Sequence, residues 1–181
     1  KKYPNVMMIA EDSSSYQGVT KPTFEGGLGF DYKWDLGWMN DTLKYYGLDP
    51  IYRKFHHHQL TFSMHYFFSE KFIMPLSHDE VVHGKGSIIN KMWGNYEDKF
   101  AQARNLMTYM FAHPGKKLNF MGNEIAQFDE WSEQRQLNWN LYDYPKHSGF
   151  SRLVRDLNEV YKYHPALHEQ EYEGKSFSWL I

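Results

Sequence analysis

Carboxylates stand at three places where apolar runs give way to polar ones. His78, Asp79 and Glu80 follow directly on Phe72-Ile-Met-Pro-Leu-Ser77, and Lys85 comes shortly after, flanked by Gly84 and Gly86. The run Val6-Met-Met-Ile-Ala10 leads in the same way into Glu11 and Asp12, and Lys117-Leu-Asn-Phe-Met-Gly-Asn123 leads into Glu124. Buried strands that deliver ionisable groups at their C-terminal ends are how a βα-barrel assembles an active site. Paired carboxylates suit acid–base work on a neutral glycoside, where one acid protonates the leaving oxygen and a second carboxylate acts at the anomeric carbon. Glu11, partly desolvated by its apolar run and next to Asp12, fits the acid with a raised pKa. The competing reading is that acids after strands only cap the next turn.

Other constellations carry less. His78, Asp79 and His83 lack the spacing of a dedicated metal site, so a substrate-binding histidine is preferred, and neither metal nor cofactor is expected. His56, His57 and His58 are consecutive, cannot share one helical face, and read as a solvated loop. Gly84 to Ser87 and Gly26 to Gly29 lack the G-x-x-x-x-G-K-[ST] order of a phosphate loop. No nucleophilic Ser or Cys motif occurs.

The positioning elements read as strand, loop and helix in repeated alternation. Strands are expected over 5–11, 30–34, 72–76 and 117–124, with Pro75 near the end of its strand or at a bulge, because proline removes a ladder donor. A glycine-rich loop fills Gly18 to Gly29. A short helix runs from Met39 to Tyr46 and stops at Gly47, and Asp49-Pro50 opens a further turn. Asn95 caps a helix with Glu97 and Asp98 in its first turn, which carries Phe100, Ala103, Leu106, Met107, Met110 and Phe111 at helical spacing and ends at Pro114-Gly115. Another presents Phe150, Leu153, Val154, Leu157, Val160 and Tyr161 and stops before Pro165. Such alternation predicts an α/β fold with parallel strands.

The 181 residues hold 20 basic and 22 acidic side chains, for a formal net charge of -2. That balance argues against nucleic-acid binding, which needs a clustered basic face. Cysteine is absent, which fits a cytoplasmic location, and no apolar run approaches the ~18 residues of a membrane span. Aromatic residues make up 18%, a surplus that favours a carbohydrate surface, since Tyr and Trp offer flat apolar faces with a polar tip.

Taken together, Met8-Ile-Ala-Glu-Asp-Ser-Ser14, Gly26-Gly-Leu-Gly-Phe30, Leu36-Gly-Trp-Met39, Leu76-Ser-His-Asp-Glu-Val-Val-His-Gly-Lys85, Phe120-Met-Gly-Asn-Glu124 and Arg152-Leu-Val-Arg-Asp-Leu-Asn158 resemble the bacterial-type 1,4-α-glucan (glycogen) branching enzymes of the α-amylase superfamily. The resemblance implies a partial (β/α)8 TIM barrel, strands 5 to 8 with their helices over 1–175, and at 176–181 the start of a linker to a C-terminal β-domain. It implies Glu11 as general acid/base, Asp79 as stabiliser of the oxocarbenium-like transition state and His78 at the cleavage subsite, with Lys85, Glu124 and Trp131 as further substrate contacts. The substrate would be an α-1,4-glucan such as glycogen or amylose. The family's nucleophile, an Asp on the fourth strand, has no counterpart here, so the missing N-terminal barrel half is expected in the same natural polypeptide and this part alone is expected to be inactive. A glucan-binding half-barrel without chemistry, another glycoside hydrolase of the superfamily, and an unrelated hydrolase pairing Glu11 with Glu124 or Asp79 are the alternatives. Two bare strand edges would favour self-association.

Overall fold

The computed structural model describes residues 3–180. Four strands, β1 (Ile9–Ala10), β2 (Tyr32–Trp34), β3 (Phe72–Leu76) and β4 (Lys116–Asn119), form one sheet in the order β1-β2-β3-β4, parallel throughout. Six helices follow the chain as α1 (Leu36–Gly47), α2 (Pro50–Arg53), α3 (His58–Thr61), α4 (Ile88–Lys91), α5 (Tyr96–Ala112) and α6 (Pro145–Tyr163), with short 3₁₀ turns between. The expected α/β alternation is therefore found, with one exception. Between β1 and β2 the only helical element is the 3₁₀ turn Thr23–Glu25, and the glycine-rich loop occupies the rest.

That loop is held from a distance. Glu70 accepts the N–H groups of Gly18, Val19 and Thr20 at 2.7, 2.8 and 2.8 Å and the Thr20 hydroxyl at 2.5 Å. Burial would raise the Glu70 pKa, but these donors outweigh it and hold the carboxyl below its usual range. Gly27 tolerates no side chain, because a Cβ there would lie 2.0 Å from the Lys21 carbonyl oxygen.

Paired residues on neighbouring parallel strands share a face, so the register sorts the sheet into two rows. Ala10, Lys33 and Phe72 lie in one row, continued by Met74 with Lys117 and Leu76 with Asn119. Phe72, Met74 and Leu76 from this row pack with Trp38 and Met39 of α1, Phe100, Leu106, Met107 and Met110 of α5, and Phe150 and Val154 of α6. The long helices thus cover a single face. Ile9, Tyr32, Trp34, Ile73, Pro75, Lys116 and Leu118 form the row facing away from them.

Several boundaries differ from the sequence reading. β1 spans two residues rather than 5–11: the Met8 N–H goes to the Asp31 carboxylate at 2.8 Å instead of a β2 carbonyl. α1 begins at Leu36, because Asp35 accepts the Trp38 N–H at 2.8 Å and caps it. β4 stops at Asn119, since Gly122 turns to φ 92° and Asn123–Ile125 forms a 3₁₀ turn. His58 opens α3 rather than lying in a loop. Asn95 caps α5 as expected, and with Asp98 it forms a reciprocal capping box.

Pro75 lies in the fourth position of the five-residue β3, near its end as expected. On the β2 side, the carbonyls of Lys71 and Ile73 accept from Lys33 and Asp35, while Leu76 accepts from Phe120 on the β4 side. The alternation aims the Pro75 nitrogen at the β2 side, past Trp34 where β2 ends. No ladder bond is forfeited there.

Candidate functional site

All strands run the same way, so Ala10, Trp34, Leu76 and Asn119 end along one edge. Beyond β3, Ser77 caps the turn His78–Val81: its hydroxyl accepts the Asp79 N–H at 3.3 Å, and the Glu80 carboxylate accepts the Ser77 N–H and hydroxyl at 3.0 and 2.7 Å. Glu80 is thereby buried and consumed by the fold. The S-x-x-E pattern of this capping box was visible in the sequence. His78 and Asp79 are left to solvent, 47% and 46% exposed, with His78 Nε2 3.4 Å from Asp79 Oδ1.

Aromatic side chains from beyond β4 complete the neighbourhood. Phe120 stands 6.0 Å from the His78 ring and 5.2 Å, edge to face, from Trp131. The Trp131 N–H donates to the Val81 carbonyl at 2.9 Å, which ties the loop after β4 to the turn after β3. Lys85 is exposed on the next loop, whose Gly84 N–H donates to Glu130 at 2.5 Å. His78 and Asp79 are therefore adjacent, and Phe120 stands between His78 and Trp131, with the loop bearing Lys85 on the next stretch of chain.

Two candidates stand apart from them. Glu11 follows β1, and β2 separates it from β3, about 10 Å at the usual strand spacing. Alternation along β1 carries Glu11 onto the side of Ile9 and Ile73, away from the helices. The expected desolvation of Glu11 is not found, because its side chain is exposed. Its neighbour Asp12 turns to the buried Lys33, 3.0 Å away. The Ser14 N–H, together with the Lys33 ammonium, pulls Asp12 down to about 2. Glu124 accepts the Gly122 N–H at 2.8 Å and lines a groove of about 550 Å³ with Lys117, Asn119 and Arg155 on the α6 side. Its contacts do not join it to the His78 cluster.

The sequence reading assigned no role to Phe120 or Glu130. Phe120 had a signal, an aromatic directly after a strand, whereas nothing local links Glu130 to Gly84. Among the described residues no cluster of three or more His, Cys, Asp or Glu has metal-holding geometry, and no helix is long and apolar enough to cross a membrane.

The fold and site together define an α/β protein with a parallel sheet whose carboxyl edge carries exposed acids, a histidine and an aromatic wall. No protein-family model matches the chain. It is similar to the 1,4-alpha-glucan branching enzyme GlgB of Aquifex aeolicus, at 57% identity over 180 residues, 99% of this chain and 29% of that protein. The Pseudoalteromonas atlantica enzyme of the same name is 55% identical, over 98% of the chain and 24% of its own length. GlgB 1 of Rhizobium etli is 56% identical, over 99% and 24%. The resemblance read from the motifs is thus borne out along nearly the whole chain, which spans about a quarter of the length of these relatives.

Proposed function

We propose that this chain is part of a glycogen branching enzyme, contributing strands 5 to 8 and their helices to a (β/α)8 barrel. The observation that carries the reading is identity above 50% over almost the entire chain to proteins bearing that name. Two features of the fold support the barrel. Strands lie in sequential order, and α1, α5 and α6 cover the same face of the sheet. A doubly wound fold would reverse strand order and place helices on both faces; a barrel keeps its helices outside and fills its interior with the opposite row.

In this reading the substrate is an α-1,4-glucan. Glu11 protonates the glycosidic O4 as the C1–O4 bond breaks, and a carboxylate from outside this chain takes C1 as a covalent ester. Glu11 then removes the proton from an acceptor 6-hydroxyl, whose oxygen attacks C1 and releases the carboxylate, forming an α-1,6 branch with retained configuration. The exposure of Glu11 gives both the leaving and the accepting oxygen access to it. Asp79 stabilises positive charge at C1, and His78 hydrogen-bonds the sugar beside it. Trp131, braced by Phe120, offers an aromatic wall, with Lys85 and Glu124 as outer contacts. The absence of cysteine supports a cytoplasmic location.

Amylose turnover by the purified chain tests this, with iodine absorbance and reducing ends followed together and Glu11→Gln as control. The expected result is glucan binding without change in either signal. An iodine decrease without new reducing ends, lost in the variant, would place a nucleophile within this chain. New reducing ends would make it a hydrolase, and absence of glucan binding would overturn the reading.

A further inference from the structure

Residues 128–131 bond at two points to the segment between β3 and α4 and at a third to α4 itself. Asn90 Nδ2 donates to the Phe128 carbonyl at 2.7 Å, the Gly84 N–H to Glu130 Oε1 at 2.5 Å, and the Trp131 N–H to the Val81 carbonyl at 2.9 Å. The clasped loop has unusual backbone: His83, Gly84 and Gly86 all have positive φ, at 56°, 80° and 73°. Two glycines take this region freely, but His83 is strained there, and such a residue persists only where its surroundings hold it. Lys91 Nζ also donates to the Lys85 carbonyl.

The central bond of the strap is the only one of the three made by a charged group, and N–H donation to a carboxylate is stronger than to a neutral oxygen. We propose that Glu130 is a positioning residue, holding Gly84 so that the strained loop stays closed beside His78 and Asp79 with Lys85 presented to the glucan. This rests on the glucan reading above. Glu130 itself does not touch the sugar; it acts through the loop, while Trp131, the next residue, forms part of the wall.

The test compares the chain with Glu130→Ala and Glu130→Gln, measuring amide exchange at Gly84, maltoheptaose affinity and the thermal melt. Glu130→Ala should speed Gly84 exchange about tenfold, the effect of losing one charge-assisted bond, and weaken maltoheptaose binding several-fold while the melt stays in place. Glu130→Gln, which keeps an acceptor oxygen, should restore both. Unchanged Gly84 exchange in the alanine variant, faster exchange with unaltered affinity, or a glutamine variant as impaired as the alanine one would each overturn the proposal. A parent chain that does not bind maltoheptaose defeats the glucan reading, and Gly84 exchange by itself then decides whether the clasp exists.

Discussion

Lys33 reaches from the helix-facing row of β2 to place its Nζ 3.0 Å from Asp12 Oδ2. The pair separates two adjacent acids. Asp12 is committed to a lysine that is only 7% exposed, while Glu11, on the opposite side of the chain, stays open to solvent.

Replacing Lys33 tests that division. In Lys33→Met the Asp12 carboxyl should titrate higher, moving from about 2 toward the ordinary ~3.9, although the Ser14 N–H continues to hold it down. Carboxyl NMR titration reads this directly. The sign follows: the folded-state pKa of Asp12 is depressed, so its contribution to stability is present above ~3.9 and is lost as pH falls toward 2. The variant should lose less stability across that window, and an unmoved Asp12 would dissolve the pair.

His113 should govern stability at mildly acid pH. Burial pushes it down to about 4; its Nδ1–H donates to the Pro114 carbonyl at 2.8 Å, and Nε2 accepts from the Ser63 hydroxyl at 3.0 Å. The unfolded chain takes up a proton near ~6.5 that the folded state refuses until about 4, so this residue destabilises the fold progressively between those values, by about 3 kcal/mol in all. Above ~6.5 it has no effect. Urea unfolding at pH 7.5 and 4.5 should show the loss, and His113→Asn should flatten it.

The outer edge of β1 and the apolar segment that precedes it predict self-association. Val6, Met7, Met8 and Ile9 are 50, 60, 49 and 38% exposed, and β1 ends the sheet. An apolar edge with unpaired backbone groups is a template for another strand. Sedimentation of the isolated chain should show concentration-dependent dimers or larger species, reduced by Met7→Lys. A monodisperse monomer with a cooperative melt would contradict this.

Much of the architecture was legible because its causes are local. The caps of α5 depend on residues three apart, the helical stripe of Phe100 to Phe111 on spacing, and β3 on an unbroken apolar run. The errors have nonlocal causes. β1 read as long because Val6 to Ile9 are apolar, yet the ladder is limited by what β2 offers and by the Asp31 carboxylate. Glu124 read as a strand-end acid like Asp79, but the left-handed Gly122 and the turn after it swing its side chain toward α6.

Residue order alone dictates which side-chain types follow which strands, and therefore that acids, a histidine and aromatics collect at the carboxyl edge of a parallel sheet. What surrounds each acid depends on the packed chain. A carboxylate's role is set by the donors within about 3 Å of it, and for Glu70 those come from Gly18, Val19 and Thr20, 50 to 52 residues away. Glu130 finds Gly84 across 46 residues. Glu80 folds back on Ser77, Asp12 is drawn to Lys33, and Glu11 and Asp79 are the strand-end acids left to solvent.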